Sequence, residues 1–169
     1  MCFDDAGRMF VVEGRGYPFL PAKDGKGKTP PKLGTVALLE DTDGDGRFEK
    51  RTTFAEGFTF PNGVMPSGKG VLISAAPDII YAEDTTGDGR ADLRRVLFTG
   101  FREGNQQHRM NGFTYGLDHW LYGANGDSGG GILSPGRDLE VNIAGRDFRL
   151  APKTRAFEAI EGQTQFGRH

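Results

Sequence analysis

Asn62-Gly63-Val64-Met65-Pro66-Ser67-Gly68-Lys69-Gly70-Val71-Leu72-Ile73 aligns without gaps onto Asn111-Gly112-Phe113-Thr114-Tyr115-Gly116-Leu117-Asp118-His119-Trp120-Leu121-Tyr122. Each copy reads as a strand, a tight turn and a second strand, because short β-prone runs flank a Gly- or Asp-bearing turn. Phe3-Asp4-Asp5-Ala6-Gly7-Arg8-Met9-Phe10-Val11-Val12 fits the same template with its first strand cut short. A second repeat sets Glu40-Asp41-Thr42-Asp43-Gly44-Asp45-Gly46-Arg47 against Glu83-Asp84-Thr85-Thr86-Gly87-Asp88-Gly89-Arg90. The β-prone runs Val36 to Leu39 and Ile79 to Tyr81 precede these acidic turns. The repeating unit is thus a hairpin followed by a hairpin.

A four-stranded antiparallel unit recurring every 40 to 50 or so residues is the building block of a β-propeller. The expected fold is all-β, with about three blades in one partial propeller domain over 1–169. The blades fall near 1–59, 60–110 and 111–161, and 162–169 begins the next. The stretches Gly14 to Lys32 and Ser128 to Gly136 read as insertions, the first of them an exposed loop. Propellers close with about four to eight blades. Three would leave open edges and faces, so the expectation is an incomplete ring cut from a longer protein. The alternative is a three-blade protomer that closes by dimerising.

Bulk composition agrees with many short strands joined by turns, with 27 glycines and 9 prolines in 169 residues. The formal net charge is −2, which gives no footprint for nucleic acid and no polybasic membrane patch. No run of eighteen apolar residues exists to span a bilayer. The start Met1-Cys2-Phe3-Asp4-Asp5 has neither the basic nor the apolar region of a signal peptide. Cys2 is the sole cysteine, which excludes an internal disulfide and a CxxCH haem attachment.

Two sets of residues carry candidate chemistry. Asp41, Asp43, Asp45 and Glu49 fill positions 1, 3, 5 and 9 of a D-x-D-x-D-G loop, and Asp84, Asp88 and Asp92 fill 1, 5 and 9 of the second copy. Alternating carboxylates on a tight loop suit a hard cation such as Ca²⁺ in a structural role. The competing reading is a plain turn, since Asp and Gly both tolerate left-handed backbone.

The second set lies in the hairpin from Gln107 to Asp127. Its turn falls near Leu117-Asp118, so an antiparallel return brings His108 and Asp127 to the same end. A carboxylate beside an imidazole fixes its tautomer and leaves the other nitrogen to accept a proton. That suits abstraction of a hydroxyl proton. The competing reading makes His108 a polar loop residue bonded to backbone. Arg109 and Arg102 are the cations near it, with Asn62 and Asn111 candidates to line the same face, and Arg109 reads equally well as a solvated loop charge. His119 falls in the turn and reads as exposed. Phe113, Tyr115, Trp120 and Tyr122 alternate along the hairpin and read as packing residues.

His108-x7-Gly116-x-Asp118, an aromatic strand and a closing Gly126-Asp127 resemble the catalytic hairpin of soluble aldose and sorbosone dehydrogenases. Phe3-Asp4-Asp5-x-Gly7-Arg8, Glu13 to Pro18, Asp41 to Gly46, Gln107 to Gly112, Gly123 to Gly130 and Gly145 to Arg149 resemble the propeller of planctomycete-type membrane-bound dehydrogenases. That resemblance covers nearly the whole chain. It implies a six-bladed propeller, pyrroloquinoline quinone (PQQ) as cofactor, His108 as general base and Asp127 as the residue that orients it. It further implies cofactor contacts at Arg109, Arg102, Asn62 and Asn111, a sugar or other alcohol as substrate, and a periplasmic or cell-envelope setting. Electrons would pass to a cytochrome c domain of the parent protein. The alternative is a non-catalytic propeller that binds a glycan or a protein. On either reading the fragment alone is expected to lack activity, because later blades would supply most of the cofactor site.

Overall fold

The computed structural model describes residues 1–15 and 31–167. Most of the expected Gly14 to Lys32 insertion, part of the Glu13 to Pro18 string, and Arg168 and His169 lie outside them.

The chain is all-β, and among the described residues fourteen strands form three antiparallel sheets, none closed on itself. The first sheet takes β1 (Cys2–Phe3), β2 (Met9–Glu13), β3 (Gly34–Glu40) and β4 (Lys50–Phe58) in chain order. The second takes β5 (Gly63–Ser67), β6 (Gly70–Ala75), β7 (Asp78–Glu83) and β8 (Leu93–Phe101), again in order. The third is built from β9 (Asn111–Tyr115), β10 (Leu121–Ala124), β13 (Asp147–Ala151) and β14 (Ala156–Ile160). Among the described residues no helix is long and apolar enough to cross a membrane.

The middle sheet is covered on both faces, and its sequence shows why. In β6, Val71, Ile73 and Ala75 pack with Phe10, Val36, Leu38 and Phe54 of the first sheet. Leu72 points the other way, into a cluster with Phe98, Phe113, Leu121, Phe148 and Leu150. Alternate residues of a strand leave on opposite faces, so a strand buried on both sides reads as an unbroken apolar run. The second cluster is aromatic-rich, and Phe148 stacks on Phe157 at 5.3 Å. Full burial of a side chain such as Phe98 or Phe148 contributes about 1.5–3 kcal/mol.

The Ser128 to Gly136 insertion does more than extend the third sheet. It supplies β11 (Gly130–Leu133), followed by β12 (Val141–Asn142), and β11 pairs with β8 at the edge of the second sheet. The middle sheet therefore has six strands. Glycine allows the approach: a Cβ on Gly100 would lie 2.1 Å from the Gly131 carbonyl oxygen, and one on Gly130 would lie 2.4 Å from that of Gly100.

Candidate functional site

The site sits where β9 begins and β10 ends. Leu121 pairs with Tyr115 and Tyr122 with Thr114, but Ala124 then pairs with Asn111. Two residues on β9, Gly112 and Phe113, stand opposite the single Gly123 on β10. Gly112 has φ +66°, the left-handed conformation that a bulge of this kind requires. The slip moves the register by one residue, and the shifted register is the one that sets His108 across from Asp127. An unbulged ladder would have faced His108 with Ser128.

A single 3₁₀ turn, Gln106–His108, delivers the imidazole. Asn105 caps it, with its side chain accepting from the Gln107 amide at 3.1 Å. On the other strand Asp127 is held at φ +68° and Gly126 at φ +70°. A Cβ on Gly126 would lie 2.2 Å from the Arg109 carbonyl oxygen, so glycine lets the two segments touch. Ser128 Oγ donates to the His108 carbonyl. Below the pair, the Asn125 side chain donates to the Ile143 carbonyl at 2.8 Å and accepts from the Gly129 amide at 2.7 Å.

His108 Nδ1 lies 3.4 Å from Asp127 Oδ2, and each side chain is about one-third exposed (34% and 35%). That separation is longer than a usual N–H···O bond. The other ring nitrogen, expected to be open, is contacted by Gln165 Nε2 at 3.1 Å. An amide nitrogen only donates, so this contact is a hydrogen bond in the tautomer whose Nε2 accepts and whose Nδ1 faces Asp127. Gln165 comes from the Gly162 to Gly167 stretch, which folds back over the hairpin.

Of the expected cofactor ligands, the two asparagines are hydrogen-bonded within the chain. The Asn111 amide nitrogen donates to the carbonyls of Arg109 and Gln165, each at 2.9 Å, and its oxygen accepts from the Gly167 amide at 2.7 Å. Asn62 Oδ1 accepts from Ser74 Oγ at 3.0 Å. Arg102 is exposed. Arg109 is 4% exposed, donates to the Glu103 carbonyl at 2.7 Å and lies over the Phe60 ring at 5.9 Å. Its Nε and Nη1 have no hydrogen-bond partner among the described residues. Burial lowers the pKa of this guanidinium, against an opposing effect of Glu103. A cofactor with three carboxylates calls for several convergent cations. Two of these four residues, Arg102 and Arg109, are cations, fewer than such a cofactor calls for.

The acidic loops share one geometry. Asp41 accepts from the amides of Gly44 at 2.7 Å and Gly46 at 2.9 Å; Asp84 accepts from those of Gly87 and Gly89, both at 2.7 Å. Glu49 accepts from the Thr42 amide at 2.7 Å, and Asp92 from the Thr85 amide at 2.6 Å. Asp43 and Asp45 accept from the amides two residues on, as does Asp88. Asp41, Asp43 and Glu49 offer ligand atoms within 4.8 Å of one another, and Asp45 is not in that group. Thr86 replaces the carboxylate at position 3 of the second loop, and the turn is unchanged. Carboxylate–amide bonds therefore suffice to shape it.

Two clefts, of about 780 and 360 Å³, open at the far ends of the strands. The larger lies around Phe10, Phe54, Lys69 and Tyr115, and the smaller around Tyr81, Arg95, Lys153 and Arg155. Neither includes His108. Gln165, Asn125 and Asp147 are the site residues that the sequence did not single out.

No curated protein matches the chain. A family model described as a domain of unknown function (DUF7133) matches residues 1–169, the whole chain, and the protein belongs to that family.

Proposed function

We propose that the three sheets are blades of a β-propeller, and that the protein of which they form part is a dehydrogenase oxidising a sugar or other alcohol with His108 as general base. The carrying observation is the 3.4 Å contact between His108 Nδ1 and Asp127 Oδ2. An imidazole with its proton held toward a carboxylate can take a hydroxyl proton while the carboxylate stabilises the imidazolium that results. The face-to-face stacking of three meandering sheets supports the blade reading. PQQ is the two-electron acceptor implied by family resemblance, and its carboxylates would be held from beyond this chain. The same reading sets the protein in the periplasm or cell envelope and passes electrons to a cytochrome c domain.

The Gln165 contact favours a second reading. An amide and an imidazole side by side make a hydrogen-bonding surface for hydroxyl groups, as a glycan-binding module would present without any redox step.

Dye reduction by the full-length protein, with PQQ, Ca²⁺ and a panel of aldoses, separates the two. Ca²⁺ is included because Asp41, Asp43 and Glu49 bring three carboxylates together. The expected result is aldose-dependent reduction that falls on the order of 10²-fold or more in His108→Ala, the usual contribution of a general base. Absence of reduction, with aldose binding that weakens in His108→Ala, would replace the dehydrogenase with the binding module.

A further inference from the structure

The stretch that carries Gln165 is tied down on both sides of that residue. Thr164 donates through its amide to Asp147 Oδ1 at 3.0 Å and through its hydroxyl to Asp147 Oδ2 at 2.6 Å. The Thr164 carbonyl accepts from the Gly126 amide at 3.0 Å. One residue on, the Gln165 carbonyl accepts from Asn111 Nδ2 at 2.9 Å, and the Gly167 amide donates to Asn111 Oδ1 at 2.7 Å. Three hydrogen bonds thus tie the backbone from 164 to 167 to Asn111 and Gly126, beside His108 and Asp127, and two more tie Thr164 to Asp147 on β13. The side chain alone is left to move, through its own rotatable bonds.

We infer that Gln165 is the positioning residue of His108, and that its amide holds the place where a hydroxyl group of the ligand docks. The argument is one of donor matching. His108 Nε2 is an acceptor here, 3.1 Å from the amide nitrogen, and a ligand O–H offers the same donor at about the same distance. An amide donating to Nε2 favours the tautomer with Nδ1–H toward Asp127. A hydroxyl-bearing ligand reaches the imidazole by swinging the Gln165 side chain aside, while the strap stays in place. The residue therefore selects against ligands that present only acceptors at this point, since these cannot replace the lost donor. The inference rests on the proposed role of His108 as the group that meets a ligand hydroxyl.

Diethylpyrocarbonate acylates an unprotonated imidazole nitrogen and gives a readout independent of turnover. His119, exposed in the β9–β10 turn at φ +63°, is the reference within the same molecule. Peptide mass analysis should show His108 modified on the order of tenfold faster in Gln165→Ala than in the parent sequence, with His119 unchanged. Asn111→Ala, which frees the strap without touching the imidazole, should raise the His108 rate in the same direction. An unaltered ratio of His108 to His119 modification in Gln165→Ala would overturn the inference. Accelerated His108 modification without dye reduction in the full-length protein would leave the inference standing and remove the dehydrogenase.

Discussion

Replacing Asp147 with alanine removes the carboxylate that joins the third sheet to the strap. Asp147 is fully buried, and its two oxygens accept from the Asn125 amide at 3.0 Å, the Thr164 amide at 3.0 Å and the Thr164 hydroxyl at 2.6 Å. Each buried donor left without an acceptor costs about 1–3 kcal/mol, and the Thr164 hydroxyl recovers part of this by rotating. A loss of about 3–5 kcal/mol follows from the two amides and the partly recovered hydroxyl. Against a total stability of about 5–15 kcal/mol that is a large fraction. The assay is urea unfolding of the full chain, where the midpoint should fall with the slope unchanged. Hydrogen exchange should show amides from 164 to 167 losing protection first, because their anchor is gone. Asp147→Asn, which keeps one carbonyl oxygen in place, should cost less than the alanine variant. A loss below about 1 kcal/mol in Asp147→Ala, or unchanged exchange in the strap, would refute the reasoning.

Burial pushes the Cys2 thiol up to about 11, so at pH 8 roughly one molecule in a thousand carries the reactive thiolate. Iodoacetamide labelling at that pH should be slow in the native chain and accelerate many-fold in urea; stoichiometric native labelling within minutes would contradict it. The Thr35 hydroxyl, bonded at 2.6 Å, and then the Arg51 guanidinium hold the Glu13 carboxyl below the usual carboxylate range. A carboxyl lowered by folding contributes stability in full above its unfolded value of about 4.3 and loses it as pH falls through the folded value. The stability difference between the parent and Glu13→Gln should therefore be flat near neutral pH and shrink below about pH 4; a difference independent of pH would rule out the linkage.

Features set by local pattern were legible in the sequence. The all-β class follows from short apolar runs between turn residues, and the matched acidic turns fold alike because Asp41 and Asp84 each cap the amides three and five residues on. The approach of His108 to Asp127 was also legible, although the sequence reading needed no bulge and the structure uses one at Gly112. What escaped was distant in sequence. Gln165 lies 57 residues beyond His108, and no periodicity carries that pairing. Asp147 stands in a Gly-Arg-Asp-Phe-Arg string, where a buried carboxylate with amide partners looks on paper like an exposed one. The Ser128 to Gly136 stretch read only as an insertion because small residues mark turns more often than close contacts, yet Gly130 and Gly131 let a strand reach the neighbouring sheet.

Sequence adjacency also misleads at His108 and Arg109. Arg109 is extended, with φ −81° and ψ 159°, and consecutive side chains in extended backbone leave on opposite sides. His108 turns toward Asp127 and Gln165, while Arg109 turns toward the Phe60 ring and the Glu103 carbonyl. Phe60 lies on the stretch that leads from β4 to β5, so the guanidinium belongs to the side where the first and second sheets meet. His108 and Arg109 therefore have separate sets of partners among the described residues. The hydroxyl chemistry proposed for His108 stands on the Asp127 and Gln165 contacts alone, and Arg109 neither strengthens nor weakens it.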